Sequence, residues 1–329
     1  MEPGWLQILM PTEMVMKIRN RLLLQNGRGQ GMVVTLLSTV CFGLAPIFGK
    51  LAYRAAVTPF TLAALRTVIA AALLWAFYLV FWPQAIPVRW RNLLGCVGMG
   101  VANGVGSLLY YTGLARLDAS LVQLLWTFYP IWVFIFLSAA GHPISRLALL
   151  RLTLALLGTY LLAYAGGTPT DWLGIMLILS ASAFYGWHLV LGQWTLADLD
   201  SRTVTLYTLS AMAVVVTIAR LVAVIPWTPI SLQGWTTILL LALIPTALAR
   251  LLVFTGLRQL GGVQTSLLGV GELLVTLLLA QLLLGERLSL WQWIGGGLLV
   301  TSVLLISRES SLGVSWEELL RDGRWRKSK

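Results

Sequence analysis

The segment Tyr111–Leu125 returns 143 positions further along the chain as Phe254–Leu268. Thr112-Gly113-Leu114, Leu117 and Leu124-Leu125 recur there as Thr255-Gly256-Leu257, Leu260 and Leu267-Leu268. The same offset lays Phe42-Gly43 over Tyr185-Gly186 and Gly49 over Gly192, so the halves align without an insertion. Leucine matches carry little weight in an apolar chain, whereas the Thr-Gly-Leu triplet carries more. A doubled plan constrains the fold strongly, because each element of one half then needs a counterpart in the other.

The 329 residues are 58% hydrophobic and 11% charged, against about 25% charged in soluble domains, which excludes a water-soluble globule. A helix crossing about 30 Å of hydrocarbon needs roughly 20 apolar residues. The apolar runs predict spans at 32–53, 59–82, 92–114, 119–140, 145–165, 172–195, 203–225, 235–257, 263–284 and 290–307. Turn residues separate them: Pro83 and Pro87, Gly141 with Pro143, Gly166-Gly167 with Pro169, Pro226 and Pro229, Gly261-Gly262, and Gly285. Five crossings per repeat is odd, so the second repeat enters from the opposite side. The expectation is an all-α integral membrane protein of ten transmembrane helices arranged as two inverted five-helix repeats, a symmetry that suits alternating access to a central site.

The formal charge of +11 reflects orientation rather than nucleic-acid binding. Of 23 Lys and Arg residues, 16 fall on the side of the termini and 5 on the other, with Arg66 and Arg250 inside spans. By the positive-inside rule both termini are expected in the cytoplasm, and the short loops suggest a prokaryotic inner (plasma) membrane. Trp82, Trp90, Trp172, Trp227, Trp235, Trp291 and Trp293 fall at span ends, as interfacial anchors do. Cys41 and Cys96 sit in apolar spans, with neither disulfide nor metal-ligand spacing. Residues 1–31 read as a cytoplasmic tail with room for an interfacial helix. The repeats occupy 32–165 and 172–307, and 308–329 is a basic cytoplasmic tail.

Phe42-Gly43 with Gly49-Lys50, Leu65-Arg66, Tyr111-Thr112-Gly113-Leu114 with Ala119-Ser120, and Gly285-Glu286-Arg287-Leu288-Ser289 followed by Gly295-Gly296 occur in order and partly doubled. Over residues 32–307 the chain resembles the drug/metabolite transporter superfamily, and specifically its EamA-type ten-helix members. The resemblance implies a transporter without cofactors; such proteins export amino acids and other small metabolites or move nucleotide sugars and drugs. There are departures. Glu272 is followed by Leu273 where the family often has proline, although the repeat-related Pro130 is present. The stretch 141–145 lacks the Gly-Glu pair kept at Gly285-Glu286, and Arg66 faces Leu209 across the repeat.

Ionisable residues inside hydrocarbon are costly and tend to face a cavity or a partner. Glu272, following Gly269-Val270-Gly271, is expected to face a central cavity, where it exchanges a proton or pairs with Arg66 or Arg250. The glycines would let a helix or ligand approach. His188, beside Trp187 and near Tyr185, is either a pH-sensitive substrate contact or a structural residue. Arg250 is suited to clamp a carboxylate, and Arg66 reads as structural or gating. Asn103, Tyr110, Gln123, Trp126, Tyr129 and Gln264 would complete an amphipathic pocket. Gly95, Gly98, Gly100, Gly104 and Gly106 are expected to permit close helix contact. No phosphate loop, zinc motif or nucleophile elbow is present, so energy must come from a gradient.

These features point to a secondary transporter, and to an exporter, of small metabolites such as amino acids. A proton is the candidate coupling ion, and a homo-oligomer remains open. Two alternatives stand beside it: an intramembrane enzyme using His188 and Glu272 as acid and base, and a non-transporting scaffold with an apolar, closed centre.

Overall fold

A chain in hydrocarbon must satisfy its own backbone polar groups. The computed structural model, which describes residues 29–139, 146–164, 171–196 and 199–305, does so with ten helical spans and, among those residues, no strand. They are α1 (Gly29–Arg54), α2 (Pro59–Phe81), α3 (Trp90–Arg116), α4 (Ala119–Trp126 and Tyr129–Ala139), α5 (Arg146–Tyr164), α6 (Trp172–Thr195), α7 (Ser201–Val222), α8 (Leu232–Leu260), α9 (262–284) and α10 (Leu290–Leu304). All but α5 and α10 are long and apolar enough to cross a membrane. Helical structure starts at Gly29, three residues ahead of the expected span; the rest of the N-terminal tail and the C-terminal tail lie outside the described residues.

The helices pair off at the 143-residue offset, and so do their contacts. α3 packs along α6, and its counterpart α8 packs on α1. α3 lies on α7, and α8 lies on α2. The pairs α2 with α7, α4 with α9, and α5 with α10 each exchange with themselves. An arrangement that maps onto itself in this way is a pair of repeats about a pseudo-twofold axis, and the odd number of crossings makes the repeats inverted.

The expected unbroken spans at 119–140 and 263–284 are both interrupted, at equivalent points. α4 breaks at Thr127-Phe128, just before Pro130, and α9 breaks at Val270 between two glycines. Proline has no N–H to give and glycine weakens the helix, so each break has a local cause. Tyr129 opens the second piece of α4, and Glu272, 143 residues on, is the second residue of the corresponding piece of α9.

Glycines set the closest approaches. A Cβ on Gly100 would lie 2.5 Å from the Ala211 Cβ and 2.6 Å from the Thr208 carbonyl oxygen of α7. Gly104 meets α7 as well, at Val215, while Gly106 faces Phe184 of α6. Gly98 faces open space and is not part of this contact.

The perimeter is apolar: Leu79, Val80 and Phe81 are more than 60% exposed, as lipid-facing residues are. Trp90, Trp172, Trp291 and Trp293 are exposed at helix ends, and Trp227, in the loop between α7 and α8, is exposed with the Arg220 guanidinium over its ring at 4.7 Å. Trp82 instead takes the Arg202 guanidinium over its ring at 4.1 Å. At the entry to α6, Asp171 accepts from Gly174 N–H at 2.9 Å and pairs with Arg116 of α3 at 2.8 Å. These contacts, the backbone N–H first, hold its carboxyl below the usual carboxylate range. A carboxyl depressed on folding contributes stability above its unfolded-state value and loses it as the pH falls through the carboxylate range.

Replacing Gly100 by alanine should therefore destabilise the protein by about 1–3 kcal/mol through overpacking. Gly98→Ala, with room to spare, should be neutral or gain up to about 1 kcal/mol. Thermal melts of the two variants in detergent check both directions.

Candidate functional site

Pro245 lies in mid-α8, where its missing N–H denies Leu241 the usual helical partner. The backbone widens into a π-helical stretch, Ala242–Leu248, and the Thr246 hydroxyl donates to the Leu241 carbonyl at 2.7 Å. The same hydroxyl accepts from Arg66 Nη1 at 2.7 Å. Arg66 Nη2 donates to Ser107 Oγ at 2.6 Å, and the guanidinium sits over the Tyr111 ring at 4.5 Å. A proline in one repeat thus helps to position an arginine of the other.

The second arginine, Arg250, follows the π-helical stretch by two residues. It is 5% exposed, Arg66 is 6% exposed, and among the described residues neither has a carboxylate within ion-pair distance. Arg250 Nη1 reaches the Met212 sulfur at 3.5 Å, a weak acceptor. The Nε atoms of both arginines and Nδ2 of Asn103 are buried with no hydrogen-bond partner among the described residues. Glu272 is also buried, and Gln123 Nε2 donates to it at 3.5 Å. The expected ion pair between Glu272 and an arginine is therefore absent: hydroxyls and an aromatic ring hold Arg66 instead.

These groups share one cavity of about 70 Å³ between the repeats, lined by Arg66, Asn103, Ser107, Tyr110, Tyr111, Gln123, Trp126, Tyr185, Pro245, Arg250 and Glu272, with Phe42, Ala45, Gly106 and Ala181. Tyr110, Trp126 and Tyr185 form a continuous aromatic wall, with ring centroids 4.9 and 5.0 Å apart. Eight of the twelve residues singled out by sequence meet here.

The other four do not. His188 is 1% exposed, with its ring against Tyr185 and Phe254 and its Nδ1 3.0 Å from the Met99 carbonyl oxygen. It packs behind the wall with its ring nitrogen on a backbone carbonyl, and it does not share the cavity with Glu272 as an acid–base pair would. Trp187 points away, 38% exposed and edge-on to Phe136. Tyr129 supports Tyr185 from behind and donates to the Ser266 carbonyl at 3.1 Å. Gln264 is exposed near the start of α9. The glycines before Glu272 are approached by the protein itself, Gly269 by the Tyr129 hydroxyl and Gly271 by Thr39 of α1.

Tyr111, Ser107, Thr246 and Pro245 were not expected as site residues. A proline followed by threonine in mid-span was the readable signal: a broken backbone with a hydroxyl at hand to repair it.

Ten helices in two repeats around a buried polar cavity make this a membrane protein of the transport class. The EamA-like transporter family model matches residues 29–164 and 172–308, one copy per repeat, and the chain belongs to that family. This is a family of transporters, not of enzymes. The uncharacterized transporter YcbK of Bacillus subtilis (strain 168) is 25% identical over 280 residues, spanning 81% of this chain and 89% of its own. A protein of known crystal structure shares the fold with a TM-score of 0.62 at 18% identity, covering 87% of this chain and 99% of its own.

His188→Ala should cost about 2 kcal/mol, from lost ring packing and the lost hydrogen bond to the Met99 carbonyl. Its thermal midpoint should fall, while the affinity for any ligand that stabilises the parent protein stays within about twofold.

Proposed function

We propose that this EamA-family transporter is a secondary exporter, working by alternating access, whose substrates are small organic carboxylates with an apolar or aromatic body, amino acids among them. The observation that carries the reading is the pair of buried guanidiniums in one cavity, neither of which has a carboxylate within ion-pair distance among the described residues. Unsatisfied buried donors call for an acceptor. A carboxylate is such an acceptor, and arginine binds it with charge-assisted, bidentate geometry.

Tyr110, Trp126 and Tyr185 offer apolar faces to the body of the same molecule. Glu272, bonded by the Gln123 amide and the Trp126 indole and by no arginine, is suited to take up a proton or a substrate ammonium. The cavity as it stands has room for only a few waters, since about 70 Å³ falls far below the roughly 300–1,000 Å³ of ligand pockets. A metabolite therefore enters only when the repeats move apart. This polar centre argues against a scaffold with an apolar core, and the separation of His188 from Glu272 argues against their use as an acid–base pair.

Substrate classes are distinguished by thermal shift, since a ligand that binds the folded state raises apparent stability. Carboxylate-bearing compounds should stabilise the purified protein, and their amide or decarboxylated analogues should not. Arg250→Gln should weaken the carboxylates by about tenfold or more, the equivalent of losing one charge-assisted hydrogen bond. Equal shifts from amine-only and carboxylate compounds would sink the assignment. In proteoliposomes carrying a substrate found this way, Glu272→Gln should flatten the pH dependence of flux; a normal pH profile removes the proton role.

A further inference from the structure

α9 ends at Gly285, which adopts the left-handed conformation (φ +74°) that glycine tolerates best. The turn sends the Glu286 N–H back to the Ala280 carbonyl at 3.2 Å and carries the Glu286 side chain across to the other repeat. There its Oε1 accepts from Ala119 N–H at 2.9 Å and its Oε2 from Ser120 N–H at 2.8 Å. These amides open the first piece of α4, the piece that carries Gln123 and Trp126 into the central cavity. Both oxygens of a carboxylate in the second repeat thus hold the leading end of a half-helix in the first. On the same face, Arg54 Nη2 donates to the Leu284 carbonyl at 3.3 Å. Lys50, Tyr53, Arg54, Asp118 and Glu286 line a second, outer cavity of about 380 Å³.

The repeat supplies an internal comparison. At the 143-residue offset the start of α9 replaces the start of α4, with Gly262 in the place of Ala119. Gly262 N–H meets the neutral Gln193 Oε1 at 3.3 Å, and Gln193 is the counterpart of Lys50. Position 143, the counterpart of Glu286, is proline. Among the described residues, one half-helix is therefore held by two short bonds to a charge, and its twin by one longer bond to an amide. Bonds to ionised groups are roughly twice as strong as neutral ones.

We infer that Glu286 is the positioning residue that latches the cavity shut on its own face, so that the transporter opens more readily on the Gln193 face. The carboxylate acts through α4 and does not touch the substrate. The inference rests on alternating access but not on the carboxylate substrate, and its test needs no substrate.

In a background with Cys41→Ser and Cys96→Ala, a reporter Ala45→Cys is placed in the cavity lining. Right-side-out and inverted vesicles are treated with a membrane-impermeant maleimide. The exposed Arg287→Cys, in a separate variant, shows which preparation presents the Glu286 face. With Glu286 intact, labelling of the reporter from that face should be slow. Glu286→Ala should speed it about tenfold, as removal of a charged helix cap implies. Labelling from the Gln193 face should stay level or fall. Glu286→Gln, nearly isosteric and able to accept one of the two bonds, should be intermediate, and it serves if the alanine variant does not fold. Gln193→Ala should change labelling from its own face by no more than about threefold. Unchanged labelling from the Glu286 face in a folded variant would overturn the latch. So would an equal rise from both faces, which would mean general loosening. An immobile core that labels from neither face in any variant would count against alternating access as well.

Discussion

Hydrocarbon offers a backbone no hydrogen-bond partner, and the rest of this structure follows from that constraint. A helix can be interrupted only where the protein repairs the break itself. The interruptions in α4, α8 and α9 all border the central cavity, and hydroxyls donate to backbone carbonyls at those in α4 and α8. Thr127 donates to the Gln123 carbonyl at 2.9 Å, and Thr246 to that of Leu241 at 2.7 Å. Thr276 of α9 reaches the Gly43 carbonyl of α1, beside the turn at Leu44 in that helix, at 2.8 Å. The residues that face the cavity sit at these interruptions: Gln123 and Trp126 just before one break, Glu272 just after another, Arg250 just beyond the π-helical stretch. Irregular backbone and polar chemistry coincide because the membrane tolerates both only in the interior.

The electrostatics of the cavity follow a similar logic. A buried arginine is costly to desolvate, and an internal carboxylate would be the simplest compensation. Here Glu272 shares the cavity with two arginines and bonds to neither. Two hydroxyls and a tyrosine face steady Arg66 without cancelling its charge. Such an arrangement gives up some stability and keeps an attraction that a sealed ion pair would lose. It is therefore a feature of a site rather than of a core.

Much of the architecture was legible in the chain because helix length and repetition are one-dimensional properties. The offset between Thr112-Gly113-Leu114 and Thr255-Gly256-Leu257 matches the spacing of every helix pair, and turn residues marked the loops. The breaks in α4 and α9 were not read, because a proline or glycine inside an apolar run is equally compatible with a continuous helix whose neighbours repair it. Among site residues, the costly ones stood out: Arg66, Arg250 and Glu272 have few places to go in a membrane. His188 shows the limit of that reasoning. It lies one turn from Tyr185 on the same helix face, yet one lines the cavity and the other packs behind it on the Met99 carbonyl, and only three-dimensional depth separates them. Ser107, Tyr111 and Thr246 escaped notice for the opposite reason: a hydroxyl in a helix is inexpensive, and its importance appears only once a guanidinium is seen to rest on it.

The doubling of the backbone against the single set of polar side chains bears on how such a machine chooses a resting state. If two inverted repeats exchange conformations, the end states are related by the pseudo-twofold axis and, for identical repeats, equal in energy. Any preference must come from positions where the repeats differ. The repeats differ at many positions, and the differences in charge or backbone chemistry include Arg66 against Leu209, Arg250 against Ser107, Glu272 against Tyr129, Pro245 against Ala102, Glu286 against Pro143, and Gln193 against Lys50. A difference of about 1.4 kcal/mol, the scale of one charge-assisted bond over a neutral one, shifts a two-state population tenfold. A handful of side chains can therefore bias which way the cavity faces while the duplicated scaffold keeps both states within reach. In this protein the charged cap on α4 is the largest such difference visible at the ends of the broken helices.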